Sequence, residues 1–336
     1  MTNTPKNSST PNSSPTMTST PNSSSTNWDA MKHQFMQIWQ VLAALVLIYM
    51  VFFILSPPFR NIDTLLSIFG QASILAILAC GTTVVLISGG LDLSVGSIFA
   101  VVGVVVGIAL AEYELPVYAA VLIGLAVGTL LGAFNGIVQV VTGVPAFIVT
   151  LGGLTAYKGF AEILASGRDL SRFPDSFKVL GSGYLMPMII MFGAALIIGL
   201  FLTKTRLGNH TFAIGGNEEV ARLSGVKIAK SRIYYYMIGG LMAATAAILE
   251  VSKLNFAMPA RGQSYELFAI AAVVIGGTSL FGGRGGVGKT IIGMLIMQTI
   301  NVGLAYMGVG TSVQRIAIGA IIILAVYWDV SRRRSR

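Results

Sequence analysis

Ten apolar segments, separated by polar loops, follow one another along the chain from about residue 36. They run approximately over residues 36–55, 67–88, 97–111, 117–140, 146–166, 185–203, 233–251, 266–281, 291–308 and 313–329. A helix needs roughly 20 apolar residues to cross the hydrocarbon core of a bilayer. The third, eighth and tenth segments are shorter, so we expect them to be tilted, broken or shielded by neighbours. The pattern predicts an all-α integral membrane protein with about ten transmembrane helices.

The composition excludes a soluble globular protein. Of the 336 residues, 54% are hydrophobic and 10% are charged, whereas a soluble domain carries about 25% charged residues. The net charge of +9 is more simply explained by basic cytoplasmic loops than by nucleic-acid binding. Residues 1–30 are rich in Ser, Thr, Asn and Pro and predict a disordered tail. Residues 31–336 then form one polytopic transmembrane domain.

The positions of Lys and Arg predict the orientation. With ten crossings and a cytoplasmic N-terminus, the basic loop 204–232 and the arginines within residues 332–336 both lie in the cytoplasm. This agrees with the positive-inside rule, whereas an odd number of crossings would place one of these two segments outside. We therefore expect both termini in the cytoplasm.

The polar loop 204–232 contains a short helix with a readable start and stop. Asn217 can cap its N-terminus, and Glu218 and Glu219 occupy the first turn, where the helix dipole favours negative charge. Glu218 and Arg222 stand four residues apart with the acid first, the favourable order for an ion pair on a helix. Gly225 follows as a stop signal.

Val220 and Leu223 share one face of this short helix. A helix of this length is marginal alone and needs a partner surface to hold it. We interpret the segment as a docking element for a cytoplasmic protein. An ordinary solvated loop with one helical turn explains the same residues equally well.

The sequence GGLDLSVGS (89–97) interrupts two apolar segments. Gly90 lies at the break, and Asp92 is an ionisable group near the membrane, where charge is expensive and faces protein or water. Asp92 or Ser94 can cap the following helix, or these residues can contact a substrate along a translocation path. Capping is the favoured interpretation.

A second interruption lies in ELFAIAAVVIGGTSLFGGRGGVGKT (266–290). Its last eight residues match the nucleotide-binding pattern G-x-x-x-x-G-K-[ST]. A P-loop needs a soluble parallel sheet and further acidic residues for magnesium, so we reject this match. Gly276 and Gly277 are expected to break the helix, and Thr278 and Ser279 are further candidates for the break or the translocation path.

Two patterns concern packing and catalysis. Gly124, Gly128, Gly132 and Gly136 recur every four residues, which predicts a helix face that a second helix approaches closely. The single cysteine and two distant histidines lack the spacing of a metal site, and no nucleophile–base pair is apparent. The sequence therefore predicts neither a metal site nor an enzyme.

Three phrases together resemble the transmembrane permease subunits of bacterial ABC importers for ribose, galactosides, xylose and related sugars. They are GGLDLSVGS (89–97), AIGGNEEVARLSGVKI (213–228) and ELFAIAAVVIGGTSLFGG (266–283). The resemblance implies a multi-pass protein of the bacterial inner membrane that pairs with a second permease copy, either identical or paralogous. It further implies a periplasmic sugar-binding protein outside and a separate ATPase inside that carries ATP and magnesium, with no cofactor in this chain.

In this resemblance, residues 217–225 correspond to the coupling helix that fits a groove on the ATPase. Two alternatives remain open from the sequence. One is an ion-coupled secondary transporter, which needs ionisable residues at mid-membrane. The other is an ABC permease for a different solute, such as a nucleoside or an autoinducer.

Overall fold

The computed structural model describes the backbone of residues 23–334 and the side chains of residues 38–324, 326–327 and 330–331. The chain divides into two compact units, Met1–Ile38 and Trp39–Arg336, and all contacts described below lie within the second. The helices are α1 Ser23–Leu55, α2 Ile62–Ile87, α3 Val95–Ala111, α4 Val117–Thr142, α5 Ala146–Ala165, α6 Asp175–Lys178, α7 Leu185–Lys204, α8 Arg206–Gly216, α9 Glu218–Leu223, α10 Ile228–Leu254, α11 Tyr265–Ile275, α12 Val287–Tyr306 and α13 Thr311–Arg334.

Each of the ten predicted apolar segments forms a helix. Within the part of the chain that the structure describes, seven helices are long and apolar enough to cross a membrane. Two further apolar helices, Val95–Ala111 and Tyr265–Ile275, are shorter, in two of the segments that the sequence predicts to be short. The tenth predicted segment lies within α13, which has 24 residues. The chain is therefore a mostly helical, multi-pass membrane protein.

Three local details differ from the sequence-based expectation. Helix α1 begins at Ser23, inside the segment predicted to be a disordered tail, whereas residues 1–22 lie outside the described residues. Helix α11 ends at Ile275 rather than near residue 281, because the glycine pair 276–277 follows it and Gly277 adopts a φ of +87°. Helix α8 was not predicted at all. Thr205 caps it by accepting a hydrogen bond from the Gly208 N–H at 3.0 Å.

The glycine face of α4 packs with direct backbone contact against α10. A Cβ atom on Gly132 would overlap the backbone carbonyl of Tyr236, and a Cβ atom on Gly240 would overlap the carbonyl of Gly128. Small residues allow such backbone contact between helices in a bilayer. Larger apolar side chains gain little free energy by leaving the lipid acyl chains for a helix contact. The prediction that this face serves close helix packing is confirmed.

Helix α2 runs through the middle of the packed helices, and most of its residues after Ile68 are buried. Cys80 lies there, fully buried among apolar side chains, as expected of a small core residue. By contrast, α7 exposes a face of large apolar residues that includes Leu185, Phe192 and Leu196. Such a continuous apolar surface suits contact with lipid.

The loop between α5 and α7 carries the short helix α6 and the strand β1. The strand β1 (Leu170–Ser171) pairs antiparallel with β2 (Phe256–Ala257), which follows α10. In α6, Lys178 donates a hydrogen bond of 2.7 Å to the Asp175 carboxylate, and this bond lowers the pKa of Asp175. The loop lies at the end of α7 opposite to α8.

Candidate functional site

Helix α9 has the start and stop that its sequence predicts. The Asn217 side chain accepts a hydrogen bond from the Val220 N–H at 3.1 Å, which satisfies one of the orphan donors of the first turn. Glu218 pairs with Arg222 one turn later at 3.0 Å. Gly225 follows the helix with a φ of +83°, a left-handed conformation that favours glycine. The predicted capped helix is confirmed.

The apolar tips of α9 point into solvent. Val220 is 57% exposed and Leu223 is 84% exposed, and Glu219 is exposed beside them. On the opposite side, the second carboxylate oxygen of Glu218 accepts a hydrogen bond from Arg232 of α10. The helix is therefore fixed to the body of the protein by an ion pair and presents a small apolar surface outward. This arrangement suits docking to a protein partner.

The first interruption, between α2 and α3, is held by a chain of buried hydrogen bonds. One oxygen of Asp92 accepts bonds from both the N–H and the hydroxyl of Ser94, at 2.8 and 2.7 Å. The Asn135 amide donates to the Ser94 hydroxyl at 2.7 Å, and the Tyr157 hydroxyl donates to the Asn135 oxygen at 2.7 Å. Asp92 is 1% exposed. The chain of bonds joins the interruption to α4 and α5.

Asp92 and Ser94 of this interruption lie inside the protein. Asn135 precedes the end of α4 by seven residues, which corresponds to about 10 Å along a helix at 1.5 Å per residue. The carbonyl of Leu91 accepts hydrogen bonds from Thr150 and Tyr236, at 3.1 and 3.3 Å. Non-helical backbone at this depth must be buried in protein or line an aqueous cavity. Here Asp92 and Ser94 are buried in protein, whereas Gly89 is exposed.

The capping interpretation needs one correction. Ser94 occupies the N-cap position of α3, but its side chain makes no capping hydrogen bond to the helix. Its hydroxyl instead donates to Asp92 and accepts from Asn135. Asp92 binds the N–H of Ser94 itself, so its carboxylate fixes the backbone just before the helix starts. Gly90 lies next to this segment, near the Tyr236 hydroxyl.

Replacement of Ser94 with alanine is expected to destabilise the fold by about 1–3 kcal/mol. The change leaves the Asn135 amide without its acceptor and removes one of the two donors to the Asp92 oxygen, and unsatisfied buried groups of this kind have that effect. Thermal unfolding of the detergent-solubilised protein measures the change. Thr155→Ala is the matched control, because the Thr155 hydroxyl is exposed and bonds only the Leu151 carbonyl of its own helix. Equal stability of the two variants would contradict the structural role.

The second interruption separates α11 from α12. Gly276 packs so closely against α12 that a Cβ atom there would overlap the backbone carbonyl of Lys289. Gly277 then turns the chain with a φ of +87°, a conformation that side-chain-bearing residues rarely adopt. The prediction that these two glycines break the helix is confirmed.

The two polar residues that follow take part in the turn itself. Thr278 is buried, and its hydroxyl lies 3.4 Å from the Gly286 N–H. The backbone N–H of Ser279 donates to the carbonyl of Arg284 at 3.0 Å. Thr278 and Ser279 therefore stabilise the non-helical loop, and Thr278 is enclosed within the subunit.

The three sequence phrases meet at a junction of glycines, which we call the glycine junction: Gly89, Gly215, Gly216, Gly282 and Gly283. The Gly283 N–H donates to the carbonyl of Ile87 at 2.8 Å. A Cβ atom on Gly215 would overlap that same carbonyl and would lie 2.5 Å from the Gly283 nitrogen. The end of α8 is thus in direct backbone contact with both interrupted regions, and α9 starts two residues later. The sequence offered no signal for this meeting, because the contacts join residues far apart in the chain.

The nucleotide-binding pattern at 283–290 is packed into the helix bundle. Thr290, which would ligate magnesium in a P-loop, is fully buried, and its hydroxyl lies 2.8 Å from that of Thr83 in α2. The strands that the structure describes have two residues each. The pattern therefore lacks both a free hydroxyl and a supporting sheet.

An ion-pair cluster was missed at the sequence level. Glu250 of α10 is buried, its oxygens accept the Tyr265 hydroxyl at 3.1 Å, and the Arg261 Nε lies 2.9 Å from it. In one continuous helix, residues 11 and 15 positions apart would be separated by about 16 Å or more along the axis, so only the turn between α10 and α11 brings these groups together. The cluster fixes the segment that leads into α11.

These features define a multi-pass membrane permease, with helices interrupted inside the protein and a capped helix exposed in one loop. The chain belongs to the family described as branched-chain amino acid transport system / permease component, whose model matches residues 64–326. No solved structure matches the chain.

Several characterised permeases are similar over most of their length. The ribose import permease protein of Haemophilus influenzae is 36% identical over 294 residues, which cover 85% of this chain and 91% of the relative. The ribose import permease protein of Escherichia coli K12 is 38% identical over 296 residues, with coverage of 86% and 92%. The xylose transport system permease protein of E. coli K12 is 31% identical over an alignment of 380 positions, with coverage of 92% of this chain and 96% of the relative.

Proposed function

We propose that this chain is the membrane-spanning subunit of an ABC importer that carries a monosaccharide of the ribose, galactose or xylose class across the bacterial inner membrane. The observation that carries the proposal is the similarity to sugar permeases over more than four fifths of the chain. The position of the three shared phrases supports it, because all three meet at the glycine junction beside α9. The chain is a transport component without catalytic residues, and ATP hydrolysis belongs to a separate subunit.

The charges and the helices support a finer arrangement, which we propose as follows. All ten apolar helices cross or enter the membrane, and both termini are cytoplasmic, since this places the basic residues around α8 and α9 inside. A second permease copy, identical or paralogous, completes the path. A periplasmic sugar-binding protein docks outside and delivers the sugar, and the ATPase subunit docks inside on α9.

In this mechanism α9 is the coupling helix. Its apolar tips, Val220 and Leu223, enter a groove on the ATPase, and Asn217, Glu218 and Arg222 hold the helix rigid while it is pushed. The glycine junction lies directly behind it. ATP-driven movement of the two ATPase modules therefore reaches the interrupted segments through backbone contacts. Gly90, Asp92, Ser94, Gly276, Gly277, Thr278 and Ser279 act as the helix breaks that allow rearrangement.

Leu223→Asp is expected to weaken capture of the ATPase subunit by at least tenfold. Loss of a central apolar contact at an interface costs about 2 kcal/mol or more. Leu223 is 84% exposed, so we expect its replacement to leave the fold intact. The measurement is the dissociation constant between the solubilised permease and the ATPase that co-purifies with it. Leu223→Met is the matched control and should bind like the wild type.

Reconstitution tests the function itself. Proteoliposomes that contain the permease, the ATPase and the sugar-binding protein should accumulate ribose, galactose or xylose when ATP is supplied. Accumulation by the permease alone, driven by an ion gradient, would instead identify a secondary transporter. ATP-driven import of a nucleoside or an autoinducer, with none of the three sugars, would overturn the sugar assignment and keep the ABC assignment.

A further inference from the structure

Helix α5 carries a charged residue deep within its length. Among the residues that the structure describes, no other charged residue of the seven candidate membrane-spanning helices lies as far from both ends of its helix as Lys158. It follows Ala146 by twelve residues and precedes Ala165 by seven, which corresponds to about 18 and 10 Å along the axis. A charge at such depth is costly and nearly always faces the interior of a helix bundle or a water-filled cavity.

The charge of Lys158 is neither buried nor paired within the subunit. Lys158 is partly exposed, and Glu162, one helical turn later, is exposed. Neither takes part in an ion pair with a side chain that the structure describes. The Cα–Cβ bonds of a helix tilt toward its N-terminus, so the side chain of Lys158 leaves the helix toward Ala146, the more distant end. It is therefore poorly placed to reach the lipid headgroups beyond Ala165.

Small and polar residues surround these two charges on the exposed side of α5. We call this set the polar stripe: Gly152, Thr155, Lys158, Gly159 and Glu162. No atom lies within 4 Å of the Cβ positions of its two glycines, so the surface beside the charges is open. Large apolar residues, such as Phe160 and Ile163, are exposed along one edge of the stripe. The exposed side of α5 thus differs from that of α7, whose large residues are apolar throughout.

The buried side of α5 is hydrogen-bonded to the first interruption. The Ser97 hydroxyl donates to the carbonyl of Leu154 at 2.7 Å, and the Thr150 hydroxyl donates to the carbonyl of Leu91 at 3.1 Å. A rearrangement of the interruption that keeps these bonds therefore moves the polar stripe with it.

We propose that the polar stripe lines the translocation path and that Lys158 binds hydroxyl groups of the sugar as it passes. The inference rests on the proposed function, which supplies the sugar. The ammonium group of Lys158 donates hydrogen bonds and the carboxylate of Glu162 accepts them, which suits hydroxyl groups, since these do both. In the proposed orientation Ala165 lies at the periplasmic end of α5, so both side chains lie in the outer half of the path, where the sugar enters.

A water-filled path is favoured over two other surroundings of the stripe. Lipid acyl chains offer no partner for either charge. Close packing against a second permease copy would need a counter-charge for Lys158 and another for Glu162, because unpaired charges are costly to bury. Water and sugar hydroxyls satisfy both groups at once.

The accessibility of an introduced cysteine tests the path without ATPase or sugar. Thr155→Cys lies in the polar stripe, and Leu196→Cys in the exposed apolar side of α7 is the matched control. Both positions lie at least eight residues from the ends of their helices. The native Cys80 is fully buried, so the wild-type chain gives the background. The variants are reconstituted in proteoliposomes and treated with a charged methanethiosulfonate reagent.

We expect the reagent to modify Thr155→Cys at least about tenfold faster than Leu196→Cys, because the reacting thiolate is disfavoured in apolar surroundings. Equal rates would place α5 against lipid. Rapid disulfide formation between two copies of Thr155→Cys would place the stripe against the second permease copy. Either result overturns the proposal.

Lys158 itself is tested by import into proteoliposomes that contain the ATPase and the binding protein. We expect Lys158→Met to lower the maximal import rate by about tenfold or more, the scale of a lost hydrogen bond to a charged group. Lys158→Arg, which keeps the charge and the donors, should stay within about threefold of the wild type. The dissociation constant of the ATPase and the unfolding temperature should not change.

Import at the wild-type rate by Lys158→Met overturns the contact with the sugar. A lower unfolding temperature that accompanies the loss of import shows a structural role and overturns it too. A wild-type complex that imports none of the three sugars refutes the proposed function instead. The cysteine modification does not depend on the sugar or the ATPase, so the two failures are distinguishable.

Discussion

Gly215→Ala is expected to reduce sugar import by about 100-fold. The added methyl group meets two backbone atoms, the Ile87 carbonyl and the Gly283 nitrogen, and neither can move aside as a flexible side chain would. Overpacking of this kind costs about 1–3 kcal/mol or more. Import requires the junction to adopt two arrangements in turn. If the overpacking destabilises one of them by about 3 kcal/mol, the import rate falls roughly 100-fold. Import into proteoliposomes, normalised to inserted permease, measures the effect.

Gly216→Ala is the matched control, because no atom lies within 4 Å of the position that its Cβ would take. In this variant the alanine should be neutral or slightly stabilising, since glycine within a helix is about 0.5–1 kcal/mol less favourable than alanine. Thermal unfolding of both variants distinguishes a loss of folding from a loss of coupling between the ATPase and the interrupted segments. Wild-type import and wild-type stability of Gly215→Ala together would show that the close contact at the glycine junction does not exist.

Gly132→Ala is expected to destabilise the whole helix bundle by about 3 kcal/mol or more. Its methyl group would overlap the Tyr236 carbonyl and press on Gly240, so α4 and α10 must separate along their longest contact. The free-energy cost of separating the two helices lies at or above the upper end of the usual range for overpacking, about 1–3 kcal/mol. The measurement is thermal unfolding in detergent, together with the yield of monodisperse protein.

Gly193→Ala in α7 is the control for this substitution. No atom lies within 4 Å of its Cβ position, so the helix should gain stability by up to about 1 kcal/mol. The two substitutions are chemically identical and differ only in what the methyl group meets. Similar unfolding temperatures would mean that α4 and α10 do not pack through their backbones.

The hydrophobic pattern predicts the helices well because the bilayer imposes one dominant requirement, a run of apolar residues of a given length. It also identifies the short helices α3 and α11, since an 11-residue segment such as α11 cannot span about 30 Å. The cap of α9 could be predicted because capping is local: Asn217 binds Val220, only three residues away. Helix α8 was missed because polar residues in its sequence resemble the rest of the loop.

The candidate site could be predicted only in part. Single phrases indicate that helices break near Gly90 and Gly276, but the partners of those breaks come from distant segments. Ser94 binds Asn135, 41 residues later, and the Leu91 carbonyl binds Tyr236, 145 residues later. No periodicity encodes such pairs. The glycine junction therefore emerges only when the helices are packed.

The backbone contact between α4 and α10 limits where this protein can change shape. Backbone carbonyls of one helix contact Cα atoms of the other at Gly128, Gly132 and Gly240. Because no side-chain layer separates the two backbones there, we expect α4 and α10 to move as one rigid unit. Helices α11 and α12 are instead joined by an eleven-residue turn, 276–286, with four left-handed glycines. We therefore expect the rearrangements of a transport cycle to occur in other parts of the subunit than the contact between α4 and α10.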